Sequence, residues 1–211
     1  MASTEIELFG SETIYHVLNE LYVTNRCCRH DNILDCKSTV QNRKILVSFE
    51  SSKSLDSFSL FQQGCKEEFV SYVMMGTLAA LDCIHASGNR VHRKINENTV
   101  FLDKNCRVKL EFPTRISNPD LEYNAKTLIS PFAKEIDIKM VGDLACSLYH
   151  GKSQKKKLSE GGRSTLPVLL QDFVNCCVGR SPTISKLMDH ALFKQFNEFD
   201  RYQQELKELL E

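Results

Sequence analysis

Residues 91–103 read Val91-His92-Arg93-Lys94-Ile95-Asn96-Glu97-Asn98-Thr99-Val100-Phe101-Leu102-Asp103, a run rich in groups that donate, accept or move protons. Its chemistry is bounded by residue type. A lysine ammonium is donor-only at neutral pH, so Lys94 cannot collect a proton as a general base. A threonine hydroxyl is a short and weak oxygen ligand, so Thr99 is a poor seat for a divalent metal. Taken singly, His92 reads as packed core and Lys94 as one solvated lysine among many. Only their adjacency gives them meaning.

Other candidate chemistry is weaker. Nine cysteines, at 27, 28, 36, 65, 83, 106, 146, 176 and 177, form no C-x-x-C pair and no tandem zinc spacing. Most lie in apolar runs, as Cys83 and Cys146 do, where a thiol behaves as a small hydrophobe. This points to a reducing, cytoplasmic setting, with the nucleus also open. Lys+Arg 27 against Asp+Glu 27 gives no net charge, which withdraws the usual electrostatic argument for nucleic acid or an anionic membrane. The N-terminus lacks a signal pattern, and no apolar run is read as approaching a membrane span. The lysines within GKSQKKKLSEGGRS, Gly151–Ser164, read as the solvated face of a mobile loop.

The elements that must position the 91–103 run follow from periodicity. Ser11 with Ile14, Val17, Leu18 and Leu21 predicts a capped amphipathic helix. Ile33–Val40 and Lys44–Phe49 predict a hairpin, and Ser54 to Gln63 a weaker helix. The clearest helix runs from Lys66 to Ala86 and stops at Ser87-Gly88. Thr99–Leu102 and Arg107–Phe112 predict a second hairpin, and 114–131 an irregular segment. Ile136 to Tyr149 predicts a central buried helix, followed by helices over Leu166–Val178 and Thr183–Leu187. Phe196, Phe199, Tyr202, Leu206 and Leu209 mark an amphipathic tail, either docked on the domain or offered to a partner. The fold class expected is α+β, with a small mixed lobe beside a larger helical lobe. Its parts are 1–50, 51–195 and the tail at 196–211.

In this frame the 91–103 run resembles the protein-kinase catalytic loop, H-R-D-L-x-x-x-x-N followed by three apolar residues between a long helix and a hairpin. On that likeness His92 and Arg93 match, while Lys94 stands at the Asp, Asn96 at the phosphate-contacting Lys and Thr99 at the Asn. The metal-binding D-F-G falls on Phe112-Pro113-Thr114 by an ungapped count, which hairpin length favours, or on Glu111-Phe112-Pro113 with one deletion. Ile129-Ser130-Pro131-Phe132 resembles A-P-E without its Glu. Ile136–Gly142 resembles the D-x-x-S-x-G opening of the buried central helix, with Asp137 as anchor of the loop at His92-Arg93 and Gly142 kept. Glu20 stands where kinases carry the Glu that pairs with the β3 Lys. The Gly-rich loop and that Lys are not found upstream of it. The resemblance therefore implies a kinase-like fold with an incomplete small lobe and no catalysis, because phosphoryl transfer depends on those parts for positioning and charge stabilisation.

Within that superfamily, ELYVTNRCCRHDNIL, VSFESSKSLDSF, MMGTLAALDCIHASGNRVHR, IDIKMVGDLACSLYHGK and KLMDHALFKQF resemble the STE20-related adaptor (STRAD) pseudokinases, over about residues 10 to 197. The resemblance implies an adaptor that binds the liver tumour-suppressor Ser/Thr kinase and activates it allosterically, helped by an armadillo-repeat scaffold protein. By position Leu121, Tyr123 and Lys126 would lie on the partner-facing activation segment. Family members can bind ATP without Mg²⁺, but the missing upstream parts argue against any cofactor here. No metal, nucleic acid or membrane partner is expected. Two departures are the short stretch after Gly151 and the lack of a Trp-containing tail. A shortened form that competes for partners without activating them is the alternative, and behind it a residual Ser/Thr kinase that would use Glu111 or Asn98 unconventionally.

Overall fold

A computed structural model describes residues 3–7, 29–41, 44–50, 52–58, 63–87, 90–111, 131–159, 165–196 and 198–210. The expected long helix spans Glu67–Ala86 (α1). Its stripe of Val70, Val73, Met74, Leu78, Leu81 and Ile84 has no solvent exposure, and each such side chain stabilises the fold by roughly 1.5–3 kcal/mol. At Ser87 the backbone N–H donates to the carbonyls of Cys83 and Ile84, and the hydroxyl donates to Cys83 as well, which closes the helix. By length and composition α1 could cross a membrane, contrary to the expectation that no run approaches that length. Its most apolar window is 72% buried within the protein, which is how a core helix behaves.

Among the described residues two three-stranded sheets accompany it. In the first, β1 (Ser3–Glu7), β2 (Cys36–Gln41) and β3 (Lys44–Phe49) lie in the order β1-β3-β2, with Gln41 paired to Lys44 in the expected hairpin. Ile33 is not part of that hairpin. It bridges Leu110 in parallel, and Leu34 donates to the Leu110 carbonyl, so both apolar side chains reach the core. In the second sheet, β4 (Ser52–Ser54), β5 (Val100–Asp103) and β6 (Val108–Leu110) are antiparallel neighbours in chain order. The helix expected from Ser54 begins instead as the end of β4 and a single 3-10 turn, Leu55–Ser57. The Ser57 hydroxyl donates to the Ser54 carbonyl, the local bonding by which serine favours turns.

The remaining helices are α2 (Pro131–Ser159), α3 (Val168–Val178), α4 (Ile184–Met188), α5 (Ala191–Gln195) and α6 (Phe199–Leu210). The loop expected over Gly151–Ser164 is helical as far as Ser159. Gly151 breaks the helix locally with φ 67° and ψ 167°, a conformation open to glycine, and the following Lys and Gln residues resume it because they are good helix formers. Pro167 offers α3 no side-chain cap. Burial raises the carboxyl of Glu67, at the start of α1, and the Leu170 backbone pulls it partly back. The tail helix α6 is docked. Tyr202 packs edge-on against Tyr72 at 5.7 Å, Phe69 lies 6.3 Å from Tyr202, and Gln203 donates to the Asn105 carbonyl at 2.7 Å.

The chain is thus α+β and mostly helical, with its core between α1, the second sheet and α2 to α6. Cys65, Cys106 and Cys177 are buried, whereas Cys83 and Cys146 are only half-buried and Cys176 is exposed, so the thiols do not all serve as core. The helix expected after Ser11 and the irregular segment at 114–130 lie outside the described residues.

Candidate functional site

Asp137, in α2, has no solvent exposure, and its carboxylate organises the 91–103 loop. Oδ2 accepts from the His92 N–H at 2.7 Å and Oδ1 from the Arg93 N–H at 2.6 Å. His85 Nε2, at the end of α1, meets Oδ2 at 2.9 Å. Arg93 has φ 61°, a left-handed conformation that costs a non-glycine residue on the order of 1–3 kcal/mol. Two charge-assisted bonds to successive amides supply what holds it there. Lys134 donates to the His85 carbonyl at 3.1 Å, tying α1 to α2 beside the same carboxylate.

His92 is 2% exposed. Its Nδ1 accepts from the Lys94 N–H at 3.3 Å, so its single proton sits on Nε2, which donates to the Glu111 carbonyl at 2.7 Å. Burial pushes the imidazole below its ordinary value, consistent with that neutral tautomer. The loop beyond it is self-braced. Thr99 Oγ1 donates to the Lys94 carbonyl at 2.7 Å and accepts from the Asn96 N–H at 3.0 Å, while Asn96 Oδ1 accepts from the Asn98 N–H. These are the side-chain turns that Asn and Thr favour. Thr99 is therefore a structural brace, a role that reading it as a weak metal ligand missed. Glu97 adds a bond to the Ser147 hydroxyl on α2.

Arg93 and Lys94 are exposed, whereas Glu111 is half-buried. Burial raises the Glu111 carboxyl above its ordinary value, and the Lys94 charge pulls it partly back. The surroundings of Lys94 are thus a neutral imidazole, a hydroxyl already used twice and a carboxyl that resists ionisation. Such a set suits holding a loop in shape.

A pH dependence follows. Because the folded Glu111 pKa lies above 4.5, its ionisation disfavours the folded state, and stability is lost as pH rises through that region. For His92 the folded value lies below 6.5, so stability is lost as pH falls through 6.5. Glu111→Gln is expected to raise the urea midpoint at about pH 8 more than at about pH 4, leaving the acid-side loss in place. An equal or smaller gain at the higher pH would contradict the assignment.

Gly142, in α2, lies against α3: a Cβ there would stand 2.9 Å from Cys177 Cβ. Glu20, Phe112, Leu121, Tyr123 and Lys126 lie outside the described residues. Sequence reasoning also missed the Glu50–Lys109 pair, at 3.1 Å, which joins the end of β3 to β6. It missed a cluster of Asp172, Cys176 and His190 as well, whose ligand atoms lie within 4.8 Å of one another. That cluster is poorly suited to a metal. His190 Nδ1 accepts from the Leu192 N–H as the cap of α5, which leaves the ring proton on Nε2, facing Asp172 Oδ2 at 3.0 Å. Burial and Asp172 both push the Cys176 thiol up, away from the thiolate a metal needs.

No protein-family model matches this chain, and no curated protein matches it.

Proposed function

We propose that this chain is a catalytically inactive, protein-kinase-like adaptor of the STE20-related type. It acts by binding and allosterically activating a partner Ser/Thr kinase of the liver tumour-suppressor kind, with an armadillo-repeat scaffold as a further partner. One observation carries the reading: the Asp137 carboxylate grips the His92 and Arg93 amides, and the next residue is a lysine. On the kinase resemblance this is the anchor of a phosphoryl-transfer loop, with an ammonium standing where the proton acceptor would be.

A braced loop on a rigid helix pair can present a fixed surface to a partner without doing chemistry. An adaptor that prefers the partner's active conformation shifts that equilibrium by its differential affinity. Coupling of about 1–3 kcal/mol corresponds to roughly 5–150-fold. The mechanism needs no bound nucleotide.

The test is the phosphorylation rate of a candidate Ser/Thr kinase with and without the purified chain. Acceleration within the coupling range is the expected result. Inhibition would indicate the competing, non-activating form instead, and no effect on any kinase recovered with the chain would overturn the adaptor reading.

A further inference from the structure

Beneath the tail helix, at the opposite end of α1 from His85, lies a cavity of about 630 Å³. Four aromatic rings, Phe69, Phe196, Phe199 and Tyr202, line it together with Leu206. Its size falls within the range of small-molecule sites, roughly 300–1,000 Å³. Its charged lining holds three carboxylates, Glu68, Glu198 and Glu205, against two cations, Lys66 and Arg201. Arg201 is 73% exposed and bonded to Glu198 at 3.0 Å and Glu205 at 3.1 Å.

The lining carries one more carboxylate than it has cations. Burial pushes the Tyr202 phenol up to about 12, and the Glu68 and Glu205 carboxylates add to this. Each opposes a second negative charge. Aromatic faces are themselves negative and attract cations.

We propose that this cavity binds a small organic cation of the alkyl- or quaternary-ammonium class, held against the ring faces with Glu68 and Glu205 at its mouth. Arg201 is already shared between Glu198 and Glu205, so a carboxylate or phosphate ligand would have to displace one of them and would still meet Glu68. A neutral apolar ligand would use the same rings without the charge, so the class of ligand turns on the cation itself. The site shares no residue with the loop at His92, so it stands independently of the adaptor reading.

The probe is choline, compared with its neutral isostere dimethylbutanol, in which a quaternary carbon replaces the nitrogen. Titration calorimetry is the readout; the chain contains no Trp but six Tyr, so the tyrosine emission change assigned to Tyr202 is the part lost in Tyr202→Phe. Saturable binding of choline, and at least tenfold weaker binding of the isostere, are expected, consistent with cation–π attraction in a partly dry site. Glu68→Gln and Glu205→Gln should each weaken choline binding by roughly three- to tenfold, and Arg201→Gln should tighten it by removing a competing cation. Glu68, Glu205 and Arg201 are exposed, and unchanged circular dichroism confirms that the variants fold. Equal binding of choline and the isostere would overturn the proposal, as would no saturable choline binding or indifference to Glu68→Gln.

Discussion

Replacing Asp137 with alanine is expected to remove about 3–5 kcal/mol of folding stability, the cost of leaving buried partners of a lost carboxylate unsatisfied. The side chain has no exposure and serves the His92 and Arg93 amides and His85 at once. Without it the buried His92 N–H and the part-buried Arg93 N–H lose their acceptor, and Arg93 at φ 61° loses what holds it. Asp137→Asn keeps the volume and one oxygen but turns an NH₂ toward a donor, so it should fall between alanine and the native protein. Urea unfolding reads the loss, and hydrogen exchange at the His92 and Arg93 amides locates it. Native stability in the alanine variant would show that the loop is anchored elsewhere. On the adaptor reading the same variant, where still folded, should fail to accelerate the partner kinase.

The second large effect is steric. A Cβ at Gly76 would stand 2.6 Å from Val108 Cβ and 3.1 Å from Asn32 Nδ2, whose amide donates to the Val108 carbonyl at 2.9 Å. Neither neighbour can swing away, because one is a strand Cβ and the other a committed hydrogen bond. Overpacking of this kind typically costs about 1–3 kcal/mol, and Gly76→Val should lie at the top of that range. It should also displace β6, which leads into Glu111 and its carbonyl bond with His92. Gly179→Ala is the control: its Cβ would come no nearer than 3.4 Å to its surroundings, so the unfolding midpoint should hardly move. Equal effects at the two positions would refute the close approach of α1 to the sheet.

Long periodic elements were legible in the sequence because burial dictates their pattern. Helix α1 and the β5–β6 hairpin fall within a residue or two of their expected bounds. Short elements were not. Strand β1 is five residues with one apolar side chain, too few to show a period, and α5 starts from a histidine cap. The helix after Gly151 was hidden because a glycine and three lysines read as a loop, although only the glycine breaks the backbone. At the candidate site, the place of Asp137 beside His92 and Arg93 was anticipated from resemblance rather than from composition or spacing. The Glu50–Lys109 pair and the bond from Glu97 to Ser147 depend on which distant segments meet, and single-sequence patterns do not carry that information.

The central claim is that an ammonium at Lys94, on an intact loop, leaves the chain unable to move phosphate. Its most direct measurement is transfer of labelled γ-phosphate from Mg-ATP by the purified chain alone, compared with the Lys94→Ala variant. The account predicts no transfer above a protein-free blank for either. Transfer by the native chain that disappears in Lys94→Ala would contradict it.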